Sequence, residues 1–182
     1  MEVSIIEMTE SDHEHVIDID DSFVVDSILI PYFSGESIAY TTHKVEFYIK
    51  SYEDDESDES LEENRNGYSS DSVIFKAFAD EHPAGQIRLK RNWNHFAYIE
   101  DIKVDKRYRR AGIGRKLMEQ AEKWALAGGM PGVALETQNN NLKACKFYES
   151  CGFVLGGFDL FLYKNLGKSS DEIALYWYKM LN

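Results

Sequence analysis

The chain has 182 residues, 43% of them hydrophobic, so it is long enough to bury a core without disulfide or metal staples, and we expect one domain spanning residues 1–182. Its formal net charge of −12 at pH 7 argues against a nucleic-acid binder, because binding a phosphate backbone requires a concentrated positive face. It has no apolar run of 18 residues, and its start lacks the basic and apolar regions of a signal peptide, so we expect a cytoplasmic protein with no membrane partner.

The first part of the chain carries the weakest patterns. Residues 3–8 predict a short edge strand, and a helix is expected over the dozen residues that follow. Residues 24–33 are apolar and β-branched, whereas residues 42–52 place their apolar side chains on one face of a helix. Residues 53–60 are almost entirely acidic, which is typical of a solvated loop.

A meander of strands is predicted from residue 73 onward. Residues 73–79, 84–91 and 96–104 read as strands that are separated by short turns, which indicates antiparallel pairing. A basic, glycine-containing loop over residues 106–114 follows. It leads into an amphipathic helix that starts near Ile113, where apolar residues recur every three or four positions.

The remaining elements alternate between strands and helices. Residues 133–138 predict a strand, and Asn141 is a good N-cap for a helix over residues 142–151. Residues 153–163 and 173–180 supply the last strands, with a bulge or kink expected at the paired glycines of the first. The predicted fold class is therefore α/β, with a mixed and mostly antiparallel sheet flanked by helices.

The cysteines and histidines give no sign of a metal site or a nucleophile. Cys145 and Cys151 are six residues apart in one predicted helix, about 9 Å along its axis, so they are expected to be free, buried thiols. A catalytic cysteine would require a partner histidine, and nothing in the sequence places one nearby. The five histidines lack metal-ligand spacing, so no metal is assigned.

The segment Arg109-x-x-Gly112-x-Gly114 is the strongest candidate site. It lies between a predicted strand and the start of a helix, where backbone N–H groups and the positive helix end bind anions such as phosphate. Two other phosphate motifs do not fit. A P-loop requires Gly-Lys-Ser/Thr, and a dinucleotide fingerprint requires a third glycine where this chain has Leu117.

This segment resembles the signature Gln/Arg-x-x-Gly-x-Gly/Ala of the GNAT superfamily of N-acetyltransferases, which binds the pyrophosphate of acetyl-CoA. The strand over residues 98–104, the turn residue Asn141 and the helix over residues 144–153 are similar to further landmarks of that family. The resemblance implies that acetyl-CoA is the co-substrate. It implies that backbone groups of Ile102 and Val104 pair with the pantetheine arm and that Asn141 touches the arm, besides its alternative role as an N-cap. The diphosphate would be held by Arg109, Arg110, Ala111, Gly112, Ile113, Gly114, Arg115 and Lys116.

Acetyl transfer to an amine needs a base and an acid. A lysine-type amine with a pKa near 10.4 is only about 0.04% neutral at pH 7. The resemblance implies that Glu100 is the base, directly or through water, and that Tyr148 protonates the departing thiolate. The alternatives are a salt-bridged or solvent-facing strand carboxylate for Glu100 and a core tyrosine for Tyr148.

Within the superfamily, residues 84–178 are most similar to the streptothricin acetyltransferases, which acetylate the β-lysine amine of a cationic antibiotic. The matching segments are residues 91–94, 135–138, 156–164 and 172–178. Carboxylates and aromatic rings suit a cationic substrate. The candidate substrate residues are Trp93, Asp101, Glu136, Asp159 and Tyr163.

The sequence is compatible with other interpretations. Turn chemistry or core packing would also account for Asp159 and Trp93. A polyamine or protein-lysine acetyltransferase would share Glu100 and Tyr148, and a non-catalytic acyl-CoA-binding module would bind the cofactor without turnover. A homodimer is open as well.

Overall fold

The structure is a computed structural model that describes residues 1–8, 19–51, 71–167 and 171–181. Within these residues the chain forms nine β-strands and two α-helices. The helices are α1 (Ile113–Ala127) and α2 (Leu142–Ser150), and a short 3-10 helix covers Lys106–Tyr108. The strands are β1 (Val3–Glu7), β2 (Phe23–Ser34), β3 (Ser37–Lys50), β4 (Ser72–Ala79), β5 (His82–Arg91), β6 (Ala97–Val104), β7 (Gly132–Gln138), β8 (Val154–Asp159) and β9 (Ala174–Met180).

The chain packs as two compact units. The first unit comprises Met1–Ser22, Ser51–Val133 and Leu181–Asn182, and the second comprises Phe23–Lys50 and Ala134–Met180. That residues 1–182 form one domain stays a prediction. No helix in the described part of the chain is both long enough and apolar enough to cross a membrane.

The first unit is an antiparallel sheet with one long helix packed on it. Its strands lie in the order β1, β4, β5, β6, which confirms both the predicted meander and the edge position of β1. Helix α1 packs against all four strands. Its contact face is apolar at helical spacing, so burial of this face accounts for the packing. The buried residues are Ile113, Leu117, Met118, Ala121 and Ala125.

The second unit combines a hairpin, a three-strand segment and helix α2. Strands β2 and β3 form the hairpin, with Gly35 at positive φ in its turn. Strands β7, β9 and β8 lie side by side in that order. The predicted irregularity in β8 is confirmed, because the register with β9 shifts between Leu155 and Gly157. An added Cβ at Gly156 would lie 2.6 Å from the ring of Tyr178, so glycine permits this close approach.

Two element predictions are wrong. The helix expected over residues 42–52 falls largely within β3, because its β-branched and aromatic residues suit a strand and β2 supplies the pairing partner. The strand expected over residues 153–163 ends at Asp159, whose side chain accepts hydrogen bonds from the next turn. The helix expected after residue 8 lies mainly outside the described residues, and the acidic loop lies wholly outside them.

Candidate active site

The start of α1 presents backbone donors. Gly112 is the N-cap and adopts φ +82°, a left-handed conformation that an L side chain would strain. The first intrahelical bond runs from Lys116 N to Gly112 O at 3.1 Å, so the N–H groups of Ile113 and Gly114 precede it. Together with the positive helix end, this arrangement suits an anion.

Arg109 anchors the loop that leads to this helix. Its guanidinium donates to the carbonyl oxygens of Val104 (Nε, 3.0 Å) and Ser22 (NH1, 2.7 Å). The side chain is therefore engaged with backbone, and the exposed side chains of Arg110, Arg115 and Lys116 are the other source of positive charge in the segment. In the structure, then, the side chain of Arg109 positions the loop.

Strand β6 turns alternate backbone groups away from β5. Asp105 N donates to Ala84 O at 3.1 Å, so these two residues occupy a hydrogen-bonded position of the antiparallel ladder. The alternation places Val104, opposite Gly85, and Ile102, opposite Ile87, in non-hydrogen-bonded positions. Their N–H and C=O groups point away from β5, which is the orientation that an extended ligand arm requires.

Glu100 is an exposed carboxylate in a bulge of β6. The register with β5 shifts there, so Glu100 has no Cα partner. Its Oε1 lies 2.5 Å from Lys90 Nζ, and 30% of the side chain is exposed. The ion pair is the alternative that the sequence left open for this residue, and its role as the base stays a prediction.

The neighbouring Asp101 is in a different environment. Burial raises the pKa of its carboxyl, while the charge of Lys103 and a hydrogen bond from Gln86 act in the opposite direction. Gln86 Nε2 donates to Asp101 Oδ2 at 2.9 Å. Burial therefore opposes the charged form of this carboxyl.

In the second unit, Asn141 and Tyr148 both belong to helix α2, one as its N-cap and the other on its buried side. Asn141 is the N-cap, because its side chain accepts from Ala144 N at 3.1 Å, which confirms that alternative. Tyr148 is only 6% exposed, and its ring centroid lies 6.1 Å from that of Phe153 and 6.3 Å from that of Trp177. An aromatic cluster therefore fixes the ring of Tyr148.

Two of the predicted substrate residues lie in contact. Tyr163 Oη donates to Glu136 Oε1 at 2.6 Å. Burial raises the pKa of Glu136 to about 7; the bond from Tyr163 lowers it, and the charge of Glu172 raises it further. Glu136 is thus a half-buried carboxyl whose pKa is raised toward neutral pH.

Two further predicted substrate residues, Trp93 and Asp159, lie in a turn and at the end of a strand, respectively. Trp93 is 87% exposed in the turn between β5 and β6, so the core-packing alternative for it is wrong. Asp159 Oδ1 accepts from the backbone N of Phe161 (2.7 Å) and of Leu162 (3.1 Å), so turn chemistry is present there. Contact of either residue with substrate stays a prediction.

A polar network beside Glu136 was missed from the sequence. Lys50 Nζ lies 2.6 Å from Glu172 Oε1, and both side chains are largely buried. Asn140 Nδ2 donates to the same oxygen at 2.9 Å and to Tyr48 Oη at 3.0 Å. The available signal is the run of three asparagines, residues 139–141, that follows β7.

Both cysteines are free and buried, as predicted. Burial raises the pKa of the Cys145 thiol to about 12, so it is not a nucleophile at neutral pH. Among the described residues, no group of three or more His, Cys, Asp or Glu side chains is arranged to hold a metal ion.

Comparison with known proteins identifies the family. The sequence profile of the acetyltransferase (GNAT) family matches residues 38–153. The chain belongs to the GNAT acetyltransferase family. The predicted fold class and the predicted enzyme class are thereby confirmed, and the chain is an N-acetyltransferase of this family.

Three relatives extend the match over most of the chain. Streptothricin acetyltransferase of Escherichia coli is 40% identical over 89% of this chain and 87% of its own length. Streptothricin acetyltransferase A of Bacillus subtilis (strain 168) is 38% identical over 86% of this chain and 87% of its own length. A protein of Bacillus anthracis str. Ames assigned to the streptothricin acetyltransferases, solved with acetyl coenzyme A, has a TM-score of 0.88 and 46% identity, covering 99% of this chain and 100% of its own.

Proposed function

We propose that this GNAT enzyme transfers the acetyl group of acetyl-CoA to an amine of streptothricin, and so confers resistance to that antibiotic. The observation that carries the proposal is the similarity to streptothricin acetyltransferases over nearly the whole chain. The backbone donors at the start of α1 support it, because they suit the diphosphate of the cofactor.

The proposed division of labour follows the resemblance of these segments to the GNAT family. The segment from Arg109 to Lys116 binds the diphosphate, and the backbone of Ile102 and Val104 pairs with the pantetheine arm. Asn141 caps α2, and a contact with the arm is part of the proposal. When bound, acetyl-CoA supplies the activated acetyl group.

Transfer forms a C–N bond, breaks the C–S bond and moves two protons. Glu100 accepts the proton that the amine loses, directly or through water, and Tyr148 gives a proton to the thiolate that leaves.

Replacing Tyr148 by Phe is expected to lower kcat far more than acetyl-CoA affinity. Replacing Glu100 by Gln is expected to move the alkaline optimum upward, and wild-type turnover in both variants would remove these roles.

The function itself is tested by mass spectrometry. Streptothricin incubated with the protein and acetyl-CoA is expected to gain a single acetyl group. Spermidine and a lysine peptide are incubated in the same way as comparison substrates. Preference for either of these would favour a polyamine or protein-lysine acetyltransferase. Cofactor binding with no product from any amine would favour an acyl-CoA-binding module.

The location and partners belong to the same proposal. A cytoplasmic enzyme with a cationic small molecule as partner, and without nucleic acid or membrane partners, fits the net charge of −12. Fractionation of the expressing cells would test the location, and sedimentation would decide between a monomer and a homodimer.

A further inference from the structure

Three buried oxygen atoms of the second unit have no hydrogen-bond donor among the residues that the structure describes. They are Gln138 Oε1, Asn140 Oδ1 and Glu172 Oε2. Buried polar atoms in folded proteins are nearly always hydrogen bonded, so each of these atoms calls for a donor. All three accept hydrogen bonds, so what they require is a group rich in N–H or O–H.

The surrounding contacts hold these oxygens in place. Asn139 pairs with Ile173, since Asn139 N donates to Ile173 O and Ile173 N donates to Asn139 Oδ1, each at 2.9 Å. This pairing brings Glu172 next to Asn140. Glu172 Oε1 is committed to Lys50 and Asn140, so the carboxylate is fixed and its Oε2 is the oxygen without a donor.

The same region carries more negative than positive charge. Glu136 and Gln138 project from the same face of β7, because side chains alternate along a strand. The charge of Glu172 acts on Glu136, so the two carboxyl groups lie within electrostatic reach of each other. Lys50 offsets one carboxylate, and the second is bonded only by the neutral hydroxyl of Tyr163 among the described contacts.

An ammonium group satisfies both requirements. It has three N–H donors, no acceptor and one positive charge. An anion would add to the negative charge, and a group with acceptors alone would leave the oxygens without donors. We name Glu136, Gln138, Asn140 and Glu172 the acceptor pocket.

We propose that the acceptor pocket binds an ammonium group of the amine substrate and so selects cationic substrates. This inference rests on the proposed function. It adds Gln138, Asn140 and Glu172 to the residues that face the substrate. Lys50 and Tyr48 act as positioning residues, since they hold Glu172 and Asn140.

The test compares steady-state kinetics of wild type with Glu136→Gln and Gln138→Met. Glu136→Gln removes the charge and keeps an oxygen for Tyr163, so we expect KM for streptothricin to rise about tenfold or more. Gln138→Met removes one acceptor at similar volume, and we expect a rise of about fivefold. KM for acetyl-CoA should stay within about twofold in both, because the pocket is assigned to the amine.

Asp171→Asn is the matched control. Asp171 adjoins Glu172 but is fully exposed, so its replacement makes the same change of charge outside the pocket. Calorimetric titration of streptothricin into each variant, with the melting temperature recorded, separates lost binding from lost folding. If Glu136→Gln does not fold, Gln138→Met carries the test.

The outcomes separate the pocket from the function. If wild type acetylates streptothricin while both pocket variants match Asp171→Asn in KM and Kd, the oxygens are met by water only; the inference then fails and the proposed function stands. If wild type does not acetylate streptothricin, both fail. A rise in KM for streptothricin alone supports the pocket.

Discussion

The two glutamates assigned to the amine side differ in how their charge is compensated. Glu100 is exposed and lies 2.5 Å from an ammonium, so water and Lys90 both stabilise its carboxylate. Glu136 is half-buried and accepts a hydrogen bond from a neutral hydroxyl, so its negative charge is poorly compensated. At the scale of single residues, this contrast makes Glu136 the group whose protonation is sensitive to changes near neutral pH.

Replacing Glu136 by Gln is expected to change how stability depends on pH. In the folded protein the pKa of the Glu136 carboxyl is about 7, above its ordinary value of 4.5. Folding is therefore accompanied by proton uptake at pH values between 4.5 and 7. Stability from this group is present below pH 4.5 and is lost as the pH rises through 7. Relative to that of Glu136→Gln, the free energy of unfolding of the wild type should fall by roughly 3 kcal/mol between pH 4.5 and pH 8. Urea unfolding of both proteins across this range measures it, and a difference that does not vary with pH contradicts it.

Asn141 offers a second test at this scale. Its side chain caps α2, so Asn141→Ala should lower the free energy of unfolding by about 1 kcal/mol. Asn141→Asp should retain the cap and most of the stability. Thermal unfolding measures both, and an equal loss in the two variants would count against the cap. Acetyl-CoA affinity in Asn141→Asp then reports on the pantetheine arm separately.

At the scale of elements, the turn before α1 combines a strained glycine with backbone donors. Gly112→Ala should cost about 1–2 kcal/mol of stability, because φ +82° opposes a Cβ although no atom lies within 4 Å of it. Relaxing that strain reorients the N–H groups of the turn, so acetyl-CoA affinity should fall about tenfold or more. Calorimetry with acetyl-CoA measures the affinity.

Gly35→Ala is the control for this effect. Gly35 adopts φ +62° in the hairpin turn, with no atom within 4 Å, so the stability cost should be similar. Its acetyl-CoA affinity should equal that of wild type. If the two variants lose affinity equally, strain alone accounts for the result, and the turn before α1 has no special part in binding.

Periodicity predicted the elements whose packing partner is near in sequence. The meander of β4, β5 and β6 and the buried face of α1 follow from alternation and helical spacing. The helix predicted over residues 42–52 was wrong because the apolar side chains of this segment fit a helical face and a strand equally well. Pairing with β2 decides between these structures, and it depends on contacts that a single window of sequence does not contain.

At the scale of the whole molecule, the charge of −12 should favour encounter with a cationic substrate. We expect kcat/KM for streptothricin to fall as KCl is raised from about 20 to 300 mM, because the Debye length shortens from roughly 20 Å to 6 Å. An uncharged osmolyte at matched osmolality is the control. A rate that does not respond to salt would show that long-range attraction plays no part.

The candidate site was only partly predictable, because several of its contacts join residues that are far apart in the sequence. The glycine turn and Asn141 stand in short local motifs, so their positions followed from the sequence. The network of Lys50, Asn140 and Glu172 joins residues 32 to 122 positions apart, and the pairing of Asn139 with Ile173 brings two of them together. The contact of Tyr163 with Glu136 likewise depends on the turn that Asp159 caps.

The burial of both cysteine thiols has a practical consequence for an activity assay. Cys145 and Cys151 are the only cysteines of the chain, and both are buried. A chromogenic disulfide reagent should therefore leave the native enzyme unlabelled while it captures each coenzyme thiol set free. Turnover can then be followed continuously by absorbance, and a slow rise of colour without substrate would report unfolding.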